Sequence, residues 1–153
     1  MMARKLLRSW TYLTSISGAR LALLTRRPNR SHFLRMYDIR GHNPKAVLST
    51  SLAPFPSNVV GEVNSAAFSS DGIYLAVARN DNHTHVYDSR VLDRVLFDYE
   101  HFGPSRTSPG SHTFGVLHVE WLDGFSRNLP MGIATGGIDG EMDSQVYSVL
   151  INA

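Results

Sequence analysis

The stretch that most constrains the fold is "VNSAAFSSDGIYLAVARNDNHTHVYDSR", residues 63–90. Apolar and small residues alternate in three short runs, and this alternation has the period of a β-strand. The turns between the runs, residues 69–72 and 80–82, are rich in Ser, Asp, Asn and Gly, which favour tight changes of chain direction. The stretch therefore predicts a meander of three antiparallel strands.

The same plan recurs on both sides of this stretch. Residues 7–40 contain a run that ends at Gly18, a second run over 20–25, and a third that closes on Tyr37 and Asp38. Downstream, "GVLHVEWLDG" is followed by "MGIATGGIDG" within residues 115–140. The Tyr-Asp pairs and the turn glycines return at intervals of about 50 residues. Units of this size cannot bury their own apolar faces, so we expect them to stack on one another.

Stacked meanders at this interval predict an all-β fold, a partial β-propeller of about three four-stranded antiparallel blades. Within a single domain over residues 1–153, the predicted blade-like units are about 7–40, 61–90 and 112–150, with linkers at 41–60 and 99–111. A β-sandwich is the alternative, since its strands are equally short. It does not explain why the same turn and closing residues recur.

The number of units suggests an incomplete ring. Propellers typically close with four to eight blades, and this chain has room for three. We therefore expect a fragment or shortened form of a larger propeller. Its open blade edges would allow self-association.

Residues 63–90 resemble a WD repeat, the tryptophan–aspartate repeat of β-propellers. The resemblance rests on "FSSDG", on the "LA" that follows, on a tight-turn acid and on a closing Tyr-Asp pair in place of Trp-Asp. Residues 111–140 and 7–40 resemble the repeat less closely. In this family a histidine, the turn acid, a hydroxyl and the closing aromatic form a structural hydrogen-bond network. The positions that the resemblance implies are Asp81, Tyr87, Asp88, His112, Asp139, Tyr37 and Asp38, with Thr135 as a hydroxyl.

No unit contains the complete network. The middle unit lacks the histidine, and Gly61 and Glu62 stand near its place. The first unit has Ser31 where the turn acid belongs. In the last unit the spacing places the closing aromatic at position 145, but the residue there is Gln145. The repeat pattern therefore stops after Gly140.

The resemblance implies a non-catalytic scaffold that binds other proteins, and no catalytic residue, cofactor or metal is predicted. His83 and His85 have the spacing that places two imidazoles on one strand face, but a zinc site needs a third ligand. We therefore interpret them as a polar turn that enters a strand. The sequence contains neither Gly-x-Ser-x-Gly nor a phosphate-binding Gly-Lys-Ser/Thr.

Charge is unevenly distributed along the chain. Residues 1–45 hold ten of the fifteen Lys and Arg residues and a single acid. This asymmetry supports one alternative, a nucleic-acid or chromatin-associated protein that uses the basic N-terminal region, although no nucleic-acid-binding motif is present.

The same N-terminal region also resembles a mitochondrial transit peptide. Because residues 7–40 fit the repeat, we instead expect an intracellular protein of the cytoplasm or nucleus. The chain has no cysteine, and it has no apolar run long enough for a transmembrane helix, so no membrane partner is predicted.

Overall fold

The computed structural model describes residues 11–14, 18–27, 31–41, 45–59, 61–101, 115–126, 129–137 and 145–148. These residues form eleven β-strands in three antiparallel sheets. The described ranges contain no helix, and hence no helical segment that could cross a membrane. The predicted all-β architecture is confirmed.

Each sheet is a meander, because its neighbouring strands are also neighbours in sequence. Blade 1 contains β1 (Thr11–Thr14), β2 (Arg20–Arg26), β3 (His32–Asp38) and β4 (Leu48–Ser51). Blade 2 contains β5 (Val63–Phe68), β6 (Tyr74–Arg79), β7 (His83–Asp88) and β8 (Val95–Glu100). Blade 3 contains β9 (Val116–Ser126), β10 (Leu129–Gly137) and β11 (Gln145–Ser148).

The Asp-Gly turn of blade 2 has the geometry that its residues predict. Gly72 has a φ of 69°, in the left-handed region that glycine adopts without strain. Its N–H donates to the Ser69 carbonyl at 2.8 Å. Asp71 accepts a bond from the Ile73 N–H at 2.9 Å and one from the Ser69 hydroxyl at 2.6 Å. These local bonds hold the hairpin that joins β5 to β6.

Blade 2 lies between the other two blades and is buried on both faces. Every residue of β6 from Leu75 onward is buried. Leu75 and Val77 join a core with Ala22, Leu24, Leu34 and Met36 of blade 1, whereas Ala76 and Ala78 join a core with Val116, Val119, Trp121 and Ile133 of blade 3. Successive residues of a strand point to opposite faces. One strand therefore supplies both cores.

Directed hydrogen bonds add to the apolar contact between blades 2 and 3. The Trp121 indole N–H donates to the Ala67 carbonyl at 2.9 Å, and the Asn64 amide donates to the Val116 carbonyl at 2.8 Å. Each bond joins a side chain to a backbone carbonyl of the neighbouring blade. They fix the position of one sheet along the other, which apolar contact alone would not do.

The face of blade 1 that points away from blade 2 carries half-exposed apolar residues, with Thr25 and Arg35 among them. Leu21, Leu23, Phe33 and Tyr37 alternate along β2 and β3 with the buried residues of the core. None of the four belongs to either hydrophobic core. We call these residues the outer face of blade 1.

The outer strands differ from the predicted boundaries. β4 lies inside the predicted linker 41–60, and β8 extends from beyond the predicted unit 61–90 into the start of the linker 99–111. β4 was missed because it is a short, polar edge strand with half-exposed faces. β9 extends to Ser126 and β10 begins at Leu129, so both strands are longer than the sequence pattern indicates. Blade 3 has three described strands instead of four.

The strand register corrects the predicted position of the last closing aromatic. In all three blades a tyrosine lies opposite an apolar residue of the second strand: Tyr37 opposite Leu21, Tyr87 opposite Leu75, and Tyr147 opposite Ile133. The closing position of blade 3 is therefore Tyr147 and not Gln145. The prediction was wrong because the connection between β10 and β11 is longer than its counterpart in blade 2.

We predict that Gly115→Ala destabilises the contact between blades 2 and 3. Gly115 has a φ of 63°, and a Cβ there would lie 2.5 Å from the backbone of Asn80. The free energy of unfolding should fall by about 2 kcal/mol or more, measured by urea denaturation with circular dichroism. Gly136→Ala is the matched control, since no heavy atom lies within 4 Å of its added Cβ. Equal effects of the two substitutions would contradict the prediction.

Candidate functional site

The sequence Tyr-Asp-x-Arg occurs at the ends of both β3 and β7. In each case its Asp and Arg form the same hydrogen-bonded ion pair, which we call the Asp–Arg clamp (Asp38–Arg40 and Asp88–Arg90). Asp38 accepts bonds from the backbone N–H and Nε of Arg40 at 3.0 Å each, and from its terminal nitrogen at 2.7 Å. Asp88 accepts the same three bonds from Arg90 at 2.9, 2.9 and 2.7 Å. Bidentate, charge-assisted bonds of this kind fix the plane of a guanidinium. Both arginines are therefore held in defined orientations at the surface.

Each clamp also changes the acidity of its aspartate. The side-chain hydrogen bond from Arg40, followed by the bond from its backbone N–H, lowers the pKa of Asp38 to about 2. Side-chain hydrogen bonding from Arg90 lowers the pKa of Asp88 in the same way. The pKa of each arginine is raised in return. All four groups are charged at neutral pH.

A groove between blades 1 and 2 is lined by three guanidinium groups. Two adjoining cavities, of about 290 and 320 Å³, share Arg20, Arg40 and Arg90. Arg20 stands at the start of β2 and donates to the Ser89 hydroxyl across the blade boundary at 3.1 Å. We call this feature the arginine groove. It lies at the end of the two blades where β3 and β7 stop.

Exposed aliphatic residues lie in the turns that border the arginine groove. The large hydrophobic residues exposed in the described ranges are Ile39, Val47 and Val91, with exposed fractions of 47%, 58% and 53%. Ile39 and Val91 are sequence neighbours of Arg40 and Arg90 in the turns after β3 and β7, and Val47, directly before β4, lines one of the two cavities. The groove thus combines fixed N–H donors with apolar surface.

The arginine groove has no excess of positive charge. Asp38 and Asp88 neutralise the two clamped arginines. Asp71 lines the same cavity as Arg20, and its carboxylate accepts bonds from its own turn. The three cations are therefore balanced by three anions. The surface offers directional hydrogen bonds more than a long-range field.

A buried arginine organises the middle blade. Arg79 pairs with Asp81, and both side chains are 2% exposed. Its terminal nitrogens also donate to the carbonyls of Ala53 at 2.8 Å and Pro54 at 3.3 Å, and its guanidinium lies 3.9 Å from the centre of the Phe55 ring. The charge is thus bonded on several sides, as a buried charge must be. These contacts tie the segment after β4 to blade 2.

In the middle unit Arg79 is the partner of the turn acid, where the repeat pattern expects a histidine. The pattern expects a histidine near Gly61, and the structure instead packs the Phe55 ring against Gly61. The partner of the turn acid Asp81 is an arginine from the end of β6. Sequence reasoning missed it because the repeat directs attention to a histidine before the blade. The available signal was a basic residue two positions before the turn acid.

The structure adds a third side chain to the His83–His85 pair. Asp98 of β8 lies 2.8 Å from His83 Nδ1 and 3.4 Å from His85 Nε2. Burial, followed by the charge of Arg79, lowers the pKa of His85 to about 4, so its ring is neutral at pH 7. On the same strand, burial raises the pKa of Tyr87 to about 12.

The predicted network positions are only partly brought together. Asp81 and Tyr87 are buried in blade 2, Asp38 and Asp88 hold the surface clamps, and Tyr37 lies on the outer face of blade 1; His112 and Asp139 lie outside the described residues. The described histidine that contacts Thr135 is His101, with 3.3 Å between Nδ1 and Oγ1. His101 directly follows β8 and was not predicted from the sequence.

Three stacked antiparallel meanders define a section of a β-propeller, and solved structures with this fold match the chain. The Dos1 propeller matches with a TM-score of 0.68 and 21% identity, over 94% of this chain and 32% of that chain. Kluyveromyces lactis Hsv2 matches with a TM-score of 0.54 and 12% identity, over 84% and 38%. A chain of the mitotic checkpoint complex matches with a TM-score of 0.50 and 23% identity, over 86% and 32%.

These similarities establish the fold. The chain spans about a third of the length of the propeller chains it matches. No protein-family model matches the chain. No curated protein matches its sequence either.

We predict that breaking the buried Arg79–Asp81 pair costs far more than breaking the exposed Arg40–Asp38 pair. Asp81→Asn should lower the free energy of unfolding by roughly 3–5 kcal/mol, because it leaves a buried guanidinium without its counter-charge. Asp38→Asn is the matched control and should have a much smaller effect, because water screens an exposed ion pair. Urea denaturation of both variants measures the difference. Similar losses would show that Arg79 is not held as a buried charge.

Proposed function

We propose that the chain is a non-catalytic, intracellular scaffold of the WD-repeat type, that it forms part of a larger propeller, and that it binds other proteins through the arginine groove. The observation that carries the proposal is the combination of oriented guanidinium groups with exposed aliphatic residues. Arginine is enriched in protein interfaces and in their energetic hot spots. The partner would be an extended segment that carries carboxylate and aliphatic side chains.

The charge balance of the groove favours a protein over a nucleic acid. Nucleic-acid affinity depends on basic residues that neutralise phosphates. Here the aspartates balance the positive charge of the arginines. The guanidiniums of Arg40 and Arg90 each already donate two side-chain hydrogen bonds to an aspartate. The remaining N–H groups suit one or two carboxylates of a peptide better than a phosphate chain.

Two observations support the placement within a larger propeller. The matched propeller chains are about three times as long as the aligned section. The outer face of blade 1 carries the apolar alternation that faces a neighbouring blade elsewhere in the fold. One of the similar chains comes from a structure of a multi-protein complex, which is consistent with a scaffold role.

We predict that the arginine groove selects acidic, aliphatic peptides. Selection of random peptides displayed on phage against the immobilised chain should enrich sequences that combine Asp or Glu with Leu, Ile or Val. Arg40→Ala combined with Arg90→Ala should weaken binding of the selected peptide at least tenfold, measured by fluorescence anisotropy. The selected peptide would lose two charged hydrogen-bonded contacts.

Arg27→Ala is the control for this experiment. Arg27 is an exposed arginine that directly follows β2, at the opposite end from Arg20, so its removal changes the net charge without touching the groove. Peptide binding should change less than twofold. If the groove variant binds peptide as tightly as the wild type, the site assignment is wrong. Tight, salt-sensitive binding of the chain to duplex DNA would instead favour the nucleic-acid alternative.

We also predict that the purified chain associates through the outer face of blade 1. Its weight-average mass in light scattering should rise with concentration, because half-exposed Leu and Phe residues gain burial on association. Leu23→Lys should reduce this rise. Ser57→Lys adds the same charge at an exposed position after β4 and should leave it unchanged. A wild-type chain that stays monomeric at all concentrations would contradict the prediction.

A further inference from the structure

Three potential metal ligands converge at the outer edge of blade 2. His83 and His85 lie two residues apart on β7, so both rings project from the same face of the strand. Asp98 lies directly opposite His85 on the neighbouring strand β8. One ligand atom from each of the three side chains can be chosen so that all lie within 4.8 Å of one another. We propose that these residues bind a divalent transition-metal ion, with zinc as the first candidate.

Two of the three distances between the ligand atoms are close to those that a tetrahedral ion requires, and the nitrogens of His83 and His85 lie within 4.8 Å of each other. Metal–ligand bonds of about 2.0–2.1 Å place neighbouring ligand atoms about 3.3 Å apart. His85 Nε2 and Asp98 Oδ1 are already 3.4 Å apart. His83 Nδ1 and Asp98 Oδ1 are hydrogen-bonded at 2.8 Å and need to separate by about half an ångström. Both of those side chains are partly exposed, so the adjustment requires no repacking of the core.

The ligand chemistry selects the class of metal. Two imidazoles and one carboxylate favour zinc, copper, nickel or cobalt, whereas magnesium and calcium prefer sites made of oxygen atoms. Water would supply the fourth ligand, as it does in zinc sites with three protein ligands. The ligands come from two paired strands, which position side chains more accurately than loops do.

Binding requires one local change. Arg79 contacts His85 Nδ1 at 3.3 Å as a donor, whereas a metal on Nε2 leaves the ring proton on Nδ1. Arg79 must therefore release this contact. It retains its bonds to Asp81 and to the Ala53 carbonyl, which hold its position. Metal binding would therefore separate His85 from Arg79, while Arg79 continues to hold the segment after β4.

The experiment titrates the purified, untagged and chelator-treated chain with zinc by calorimetry, and with cobalt by visible absorption. We expect one ion per chain with a micromolar dissociation constant, and cobalt bands typical of tetrahedral coordination. Zinc should also raise the melting temperature, because a ligand that binds only the folded state stabilises it. His83→Gln and Asp98→Asn should each weaken zinc binding at least tenfold and abolish the thermal shift.

His118→Gln is the matched control. His118 is an exposed histidine on β9 of blade 3, so its loss removes one surface imidazole without affecting the cluster. It should bind zinc like the wild type. The proposal is wrong if wild-type binding is weaker than millimolar, or if His83→Gln and Asp98→Asn bind as tightly as the wild type. Because both residues lie on the surface edge of the blade, circular dichroism should show these variants to be folded.

Discussion

The burial of β6 on both faces is the constraint on which the rest of the structure depends. A strand in a two-layer sheet normally has one face in the core and one in solvent. In β6 the residues Leu75 and Val77 face blade 1, while Ala76 and Ala78 face blade 3. The small side chains on the second face let blade 3 approach closely, and Trp121 fills the remaining space. Neither core would exist if this strand shifted by one residue, because every side chain would change face.

The second constraint is electrostatic. The end of β6 places Arg79 in the core region beside the turn, where an unpaired charge would be prohibitively costly. Asp81 supplies the counter-charge, and the carbonyls after β4 supply further acceptors. The segment between blades 1 and 2 is thereby held by a group of blade 2. Stacking of the blades and placement of their connection thus depend on the same strand.

Sequence reasoning captured the features that follow from local chemistry. The Asp-Gly turn of blade 2, the alternation of β2 and β6 and the closing Tyr-Asp pairs are all properties of a few adjacent residues, and the strands they predict are present. The second predicted turn, at Asp123 and Gly124, was wrong, because both residues lie within β9. β4 was missed because an edge strand needs little apolar character once its backbone pairs with β3. The contacts of Arg79 and of Asp98 were also missed. Each depends on residues from different strands that only the register brings together.

The register also explains why the arginine groove lies between blades 1 and 2. The clamp needs an aspartate directly after the closing aromatic and an arginine two residues further along the chain. Blades 1 and 2 both have this sequence, whereas Tyr147 of blade 3 is followed by Ser148. Ser148 lies opposite Gly132, in the register position that Asp38 has opposite Arg20 in blade 1. Blade 3 therefore lacks the acid, the clamped arginine and the counterpart of Arg20. Among the described residues, three guanidiniums meet at the boundary between the first two blades. The candidate binding surface therefore depends on the closing Asp-x-Arg sequence, which blades 1 and 2 have and blade 3 lacks.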